Sequence, residues 1–129
     1  MRQTRKLLLI DDDKSIREMI PFIFDKENYL VKTIGDIFNI ENLIAEFQPD
    51  LIMLDIMLGA LDGREICKYL KQLPATSKVP IILLSAAIVK EETFDCGHDA
   101  LITKPFDILF LEKEVERLIG QVSGDYKTP

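Results

Sequence analysis

Residues 7–13 read Leu-Leu-Leu-Ile-Asp-Asp-Asp, four apolar side chains without alternation and then three acids. An apolar run that does not alternate is a strand buried on both faces, as in parallel sheets covered by helices. The acids that follow mark the carboxyl end of that strand. Beyond them Ile16, Met19, Ile20, Ile23 and Phe24 recur at helical spacing and form one face of a helix. Pro21 lies inside this segment and removes a helical N–H, so a local kink is expected there.

The same alternation continues outward. Tyr29 to Ile34 reads as a second strand, and Ile37, Ile40, Leu43, Ile44 and Phe47 as a helical stripe stopped by Pro49. Leu51 to Leu54 is a third buried strand that again ends on an acid, Asp55. Ile66, Tyr69, Leu70 and Leu73 make the next helix face, closed by Pro74. Val79 to Leu84 and Leu101 to Thr103 are two more strands; between them Ile88 to Phe94 allows barely two helical turns. Ile108, Leu111, Val115, Leu118 and Val122 complete the pattern with a long amphipathic helix. Strand and helix alternate five times, which predicts an α/β fold: a doubly wound, five-stranded parallel sheet with helices on both faces.

A chain of 129 residues fits a single domain, 1–129, with its core at about 5–122 and 123–129 as a polar tail or the start of a linker. Hydrophobic residues make up 47% and charged residues 29%, and the net charge is −6. A field of that sign repels phosphate backbones and anionic lipid, so direct nucleic-acid and membrane binding are not expected. Cys67 and Cys96 lack CxxC spacing and His98 is the single histidine, too few soft or imidazole ligands for zinc; the cysteines read as reduced thiols. Only four apolar residues follow the basic start, too few for a signal-peptide core or a membrane span, so the expected location is cytoplasmic.

In open parallel sheets ligands sit beyond the carboxyl ends of the strands. That edge collects Asp11 and Asp12 from the first strand, Asp55 from the third, Ser85 from the fourth and Lys104 from the fifth. Two carboxylates about 4 Å apart repel by roughly 4 kcal/mol at an effective dielectric near 20, so three together need an offsetting charge. Mg²⁺, a hard cation held through a few carboxylates, supplies it. With a fixed ammonium from Lys104 and a hydroxyl from Ser85, the set suits phosphoryl transfer, and a carboxylate can itself accept the group as an acyl phosphate.

Four segments carry a family resemblance: Leu-Leu-Leu-Ile-Asp-Asp-Asp (7–13), Leu-Asp-Ile-Met-Leu (54–58) with Asp62-Gly63, Leu-Leu-Ser-Ala (83–86) and Thr-Lys-Pro-Phe (103–106). In order and spacing they resemble the response-regulator receiver domain, over about residues 5 to 122. The resemblance implies a flavodoxin-like strand order, 2-1-3-4-5. It implies Asp11, Asp12, Asp55 and the Met57 carbonyl as Mg²⁺ ligands and Asp55 as phosphoacceptor. Ser85 and Lys104 would contact the phosphoryl group, and Lys104-Pro105 would be cis. The implied partners are a histidine kinase or histidine phosphotransfer protein and an output domain or target protein, with the domain a monomer or weak dimer. Such a domain is a signalling phosphoacceptor, with self-phosphorylation and self-dephosphorylation as its only chemistry.

Other residues take blander readings. Asp13 reads as a helix N-cap, Asp62-Gly63 as loop-shaping, and His98 as a surface loop residue. Some positions depart from the family. Gly59-Ala60 replaces the usual Pro-Gly, which leaves that loop less constrained, and Leu101 stands where an aromatic is usual. The span from Ser85 to Lys104 is roughly three residues shorter than usual. By the resemblance, the side chains of Met57 and Ala87 would flank the path of an attacking water, and neither can orient one. Two other functions compete. A haloacid-dehalogenase-type aspartyl-phosphate phosphatase wants a second acid two residues after the nucleophile, where Met57 stands. A receiver-like interaction module that is never phosphorylated would not need the complete acidic set.

Overall fold

The computed structural model describes residues 4–86 and 95–122. In chain order the elements are β1 (Arg5–Ile10), α1 (Lys14–Ile23), β2 (Tyr29–Ile34), α2 (Ile40–Phe47), β3 (Leu51–Asp55), β4 (Met57–Leu58) and β5 (Leu61–Asp62). They continue with α3 (Gly63–Gln72), β6 (Ile81–Ser85), β7 (Ala100–Thr103) and α4 (Ile108–Val122). Five strands form one sheet in the order β2-β1-β3-β6-β7, and every pairing in it is parallel. With the short β4–β5 hairpin set aside, this is the flavodoxin-like order 2-1-3-4-5.

The unalternating apolar runs are explained by burial on both sides. Leu8, Ile10, Ile52, Leu54, Ile81 and Leu83 face one way and pack with Ile40 and Ile44 of α2 and Ile66, Cys67 and Leu70 of α3. Their chain neighbours Leu7, Leu9, Leu51, Met53, Ile82 and Leu84 face the other way, against Ile20 of α1 and Leu111, Val115, Leu118 and Ile119 of α4. Each such aliphatic side chain contributes about 1.5–3 kcal/mol relative to exposure, so the two half-cores hold the sheet together.

Several element ends depart from the sequence pattern. β6 starts at Ile81 rather than Val79, because the Val79 N–H is used in a turn to the Thr76 carbonyl and Pro80 has no N–H to give. Pro21 falls in the last turn of α1, which ends two residues later at Ile23. Met19, Tyr69 and Ile108 belong to the periodic stripes but are exposed, while Cys67 and Ile119 take inward positions instead. Tyr69 lies at the edge of its stripe and its hydroxyl reaches Glu41 of α2. Leu101 is half-buried against the α2–α3 core. The expected helix Ile88–Phe94, the side chain of Ala87 and the tail 123–129 lie outside the described residues. Among the described residues no helix is long and apolar enough to cross a membrane.

Candidate active site: an acidic cluster at the carboxyl edge of the sheet

β1 and β3 run side by side with Ile10 opposite Leu54, so their last residues emerge next to each other. Asp11 follows β1, Asp55 ends β3, and Asp12 stands beside them. One carboxylate oxygen from each of the three lies within 4.8 Å of the others. At that separation each pair of charges repels by about 3–4 kcal/mol at an effective dielectric near 20. Asp11 and Asp55 are buried and Asp12 is exposed. Burial pushes the Asp55 carboxyl above its ordinary value, and the neighbouring Asp11 charge pushes it further.

Lys104 follows β7 and reaches back across the edge. Its Nζ lies 2.8 Å from Asp11 Oδ2 and 3.4 Å from Asp55 Oδ2. Burial works against the ammonium charge, but the two carboxylates outweigh it and hold the Lys104 pKa above its usual value. The Lys104-Pro105 bond is cis. Ser85 is buried at the end of β6, opposite Thr103 in the ladder, and its carbonyl accepts the Lys104 N–H at 2.6 Å. Ser85 and Lys104 are thus neighbours through backbone.

The supporting turns use backbone amides. Asp11 Oδ1 accepts the Asp13 N–H at 2.9 Å, and Asp55 Oδ1 accepts the Met57 N–H at 3.1 Å. Asp13 is the N-cap of α1, accepting from the Ser15 N–H, and Asp62 caps α3 through the Arg64 N–H. The paired Arg64 guanidinium holds the Asp62 carboxyl below its usual range. Chain 57–62 forms a two-residue antiparallel hairpin. Gly59 takes φ of 60° at its first central position, which suits the twist of a tight hairpin and explains the glycine. The Gly59 N–H donates to Asp12 Oδ2 at 2.8 Å.

Three residues that residue-type reasoning gave little or no role support the cluster. A Cβ on Gly63 would lie 2.1 Å from the Asp55 carbonyl oxygen, so only glycine lets α3 start against that strand end. The Arg17 Nη1 donates to the Asp11 carbonyl at 3.0 Å. Gly59 acts through its amide, a donor that every residue but proline carries, so the residue letter holds no signal for it. His98 is a half-buried loop residue, with Nδ1 3.6 Å from Cys96 Sγ. Both cysteines are buried free thiols; burial raises the Cys67 pKa, and its Sγ lies 3.3 Å from the Cys96 carbonyl.

The family model for the response regulator receiver domain matches residues 7–116. The DNA-binding dual master transcriptional regulator RpaA of Synechocystis sp. is 34% identical over 117 residues, covering 88% of this chain and 48% of the relative. The DNA-binding response regulator MtrA of Mycobacterium tuberculosis is 37% identical over 112 residues, covering 82% of this chain and 46% of the relative. The chain spans about half the length of these curated relatives. Among solved structures, the receiver domain of the Francisella response regulator 1452 is 31% identical, with a TM-score of 0.80 over 93% of this chain and 100% of that one. Fold, acidic edge and sequence agree: the chain belongs to the response-regulator receiver-domain family, a family of signalling domains.

Proposed function

We propose that Asp55 is the phosphoacceptor of this receiver, taking a phosphoryl group from the phosphohistidine of a histidine kinase or histidine phosphotransfer protein. In that step an Asp55 oxygen attacks phosphorus in line, the P–N bond breaks, and the leaving imidazole takes a proton. The product is an acyl phosphate on Asp55. The observation that carries the reading is the grouping of Asp55 with two further carboxylates inside 4.8 Å and with the Lys104 ammonium at 3.4 Å.

The three carboxylates are hard oxygen donors of one edge, a donor set that fits Mg²⁺. Asp11, Asp12, Asp55 and the Met57 carbonyl would hold it. When bound, Mg²⁺ neutralises charge on the phosphoryl oxygens. Lys104 pairs with the carboxylates before transfer and with the phosphoryl group after it, and the Ser85 hydroxyl donates to a phosphoryl oxygen.

In this reading residues 5–122 are one receiver core acting in the cytoplasm, as a monomer or weak dimer, and passing its state to an output domain or target protein. The acidic balance of −6 concerns this domain alone. In a longer protein resembling the DNA-binding relatives, contact with DNA would fall to another domain. Incubation with Mg²⁺ and acetyl phosphate, followed by intact mass, tests the assignment. The wild type should gain one phosphoryl group and Asp55→Asn none. Repeated turnover of the donor would mean a phosphatase, and no mass gain an inert interaction module.

A further inference from the structure

The hairpin β4–β5 touches the acidic cluster through one long-range hydrogen bond, from the Gly59 N–H to Asp12 Oδ2 at 2.8 Å, across 47 positions of chain. Of the three clustered carboxylates, Asp12 is the exposed one. Asp11 is held by Lys104 and the Asp13 amide, and Asp55 by Lys104 and the Met57 amide. An exposed carboxylate beside two buried ones lowers its energy by turning toward water, away from their charges. The Gly59 amide opposes that motion and still leaves Oδ1 and a lone pair of Oδ2 for another ligand.

Resting on the Mg²⁺ reading above, we infer that the Gly59 backbone amide is a positioning group for the cation site, holding Asp12 toward Asp11 and Asp55 before any cation arrives. Outer contacts that orient a ligating carboxylate contribute strongly to metal affinity. The donor that does this here is the N–H at position 59, and a proline there would have none. The glycine serves a second end, since the turn at this position needs the positive φ that glycine adopts without strain.

The test compares Gly59→Asn, which keeps the N–H and is the side chain that best tolerates the φ of 60° at this position, with Gly59→Pro, which removes the donor. Mg²⁺ alone is titrated and followed by melting temperature and by amide NMR. Gly59→Asn should bind Mg²⁺ close to wild type, and Gly59→Pro about tenfold more weakly. Because proline cannot take the φ of 60° found at residue 59, amide exchange on the unaltered hairpin gives a second reading. Without metal the Gly59 amide should be protected in wild type and in Asp12→Asn, which keeps an acceptor, and unprotected in Asp12→Ala. Equal Mg²⁺ affinity for Gly59→Pro and wild type, equal losses in both Gly59 variants, or an unprotected Gly59 amide in wild type would each overturn the inference. A wild type that takes no Mg²⁺ overturns the cation reading itself, and this inference with it.

Discussion

Lys104 and Asp11 meet at 2.8 Å although 93 positions of chain separate them and two strands, β3 and β6, lie between their own. The Asp11 carboxylate is fully buried, and the Lys104 side chain is 15% exposed. Removing one partner of a buried pair leaves an uncompensated charge and costs about 3–5 kcal/mol. Lys104→Met should therefore lower the metal-free melting temperature by on the order of 10 °C, since a chain of this size loses about that for 3 kcal/mol. Mg²⁺ should restore part of the loss, because the cation takes over the missing positive charge. A metal-free melt within 2–3 °C of wild type, a range set by roughly 0.5–1 kcal/mol, would mean the pair is screened by water.

Mg²⁺ should stabilise the wild type by relieving repulsion among Asp11, Asp12 and Asp55. At ten times its dissociation constant the gain is about 1.4 kcal/mol, or roughly 5 °C in melting temperature. Asp12→Asn separates charge from hydrogen bonding, because its amide oxygen can still accept the Gly59 N–H. Without metal this variant should melt no lower than wild type, while the Mg²⁺ shift at the same concentration largely disappears. Differential scanning fluorimetry across a Mg²⁺ series reads both. A metal-free variant well below wild type would sink the repulsion argument.

Most of this architecture is legible in residue order, and the exceptions have physical causes. β2 runs from Tyr29 to Ile34, the bounds expected of it, and Leu51 to Asp55 is buried throughout. The acids at 11, 12 and 55 converge because a parallel sheet puts strand ends on one edge. A helical stripe is wider than the surface it meets, so periodicity includes Tyr69 and Ile108 and misses Cys67 and Ile119. The β4–β5 hairpin pairs only two residues on each side, too few for an alternation to appear. Gly59 and Gly63 contribute a backbone donor and a missing Cβ, and neither is a property that residue chemistry displays.

Asp55 gives a pH dependence of defined sign. Burial and the Asp11 charge raise its pKa in the folded protein above the ordinary 3.8. The folded state thus holds the proton more tightly than the unfolded chain. Its favourable contribution is full below the unfolded pKa and is lost as pH rises through the folded value. Asp55→Asn keeps an acceptor for the Met57 N–H and removes the charge. Without metal it should melt above wild type at neutral pH, with the two curves converging toward pH 4. A variant less stable than wild type at pH 7 would show that the Lys104 pair outweighs desolvation.

The lifetime of the acyl phosphate should depend on Met57. Its N–H holds Asp55 Oδ1 at 3.1 Å, and the residue is 66% exposed two positions after the phosphoacceptor proposed above. Hydrolysis needs a water placed in line with the Asp55–phosphorus bond, and a thioether neither donates to nor firmly accepts from such a water. Asparagine offers both a donor and an acceptor at the same place. Met57→Asn should shorten the phosphoprotein lifetime by on the order of tenfold, short of the roughly 10²–10⁴ that full general acid–base catalysis supplies. Met57→Leu keeps the apolar bulk without hydrogen-bonding capacity and should decay like wild type. Intact mass over time after removal of acetyl phosphate measures all three. Unchanged decay in Met57→Asn would remove Met57 from the water's path, and acceleration in Met57→Leu would assign the effect to shape instead of hydrogen bonding.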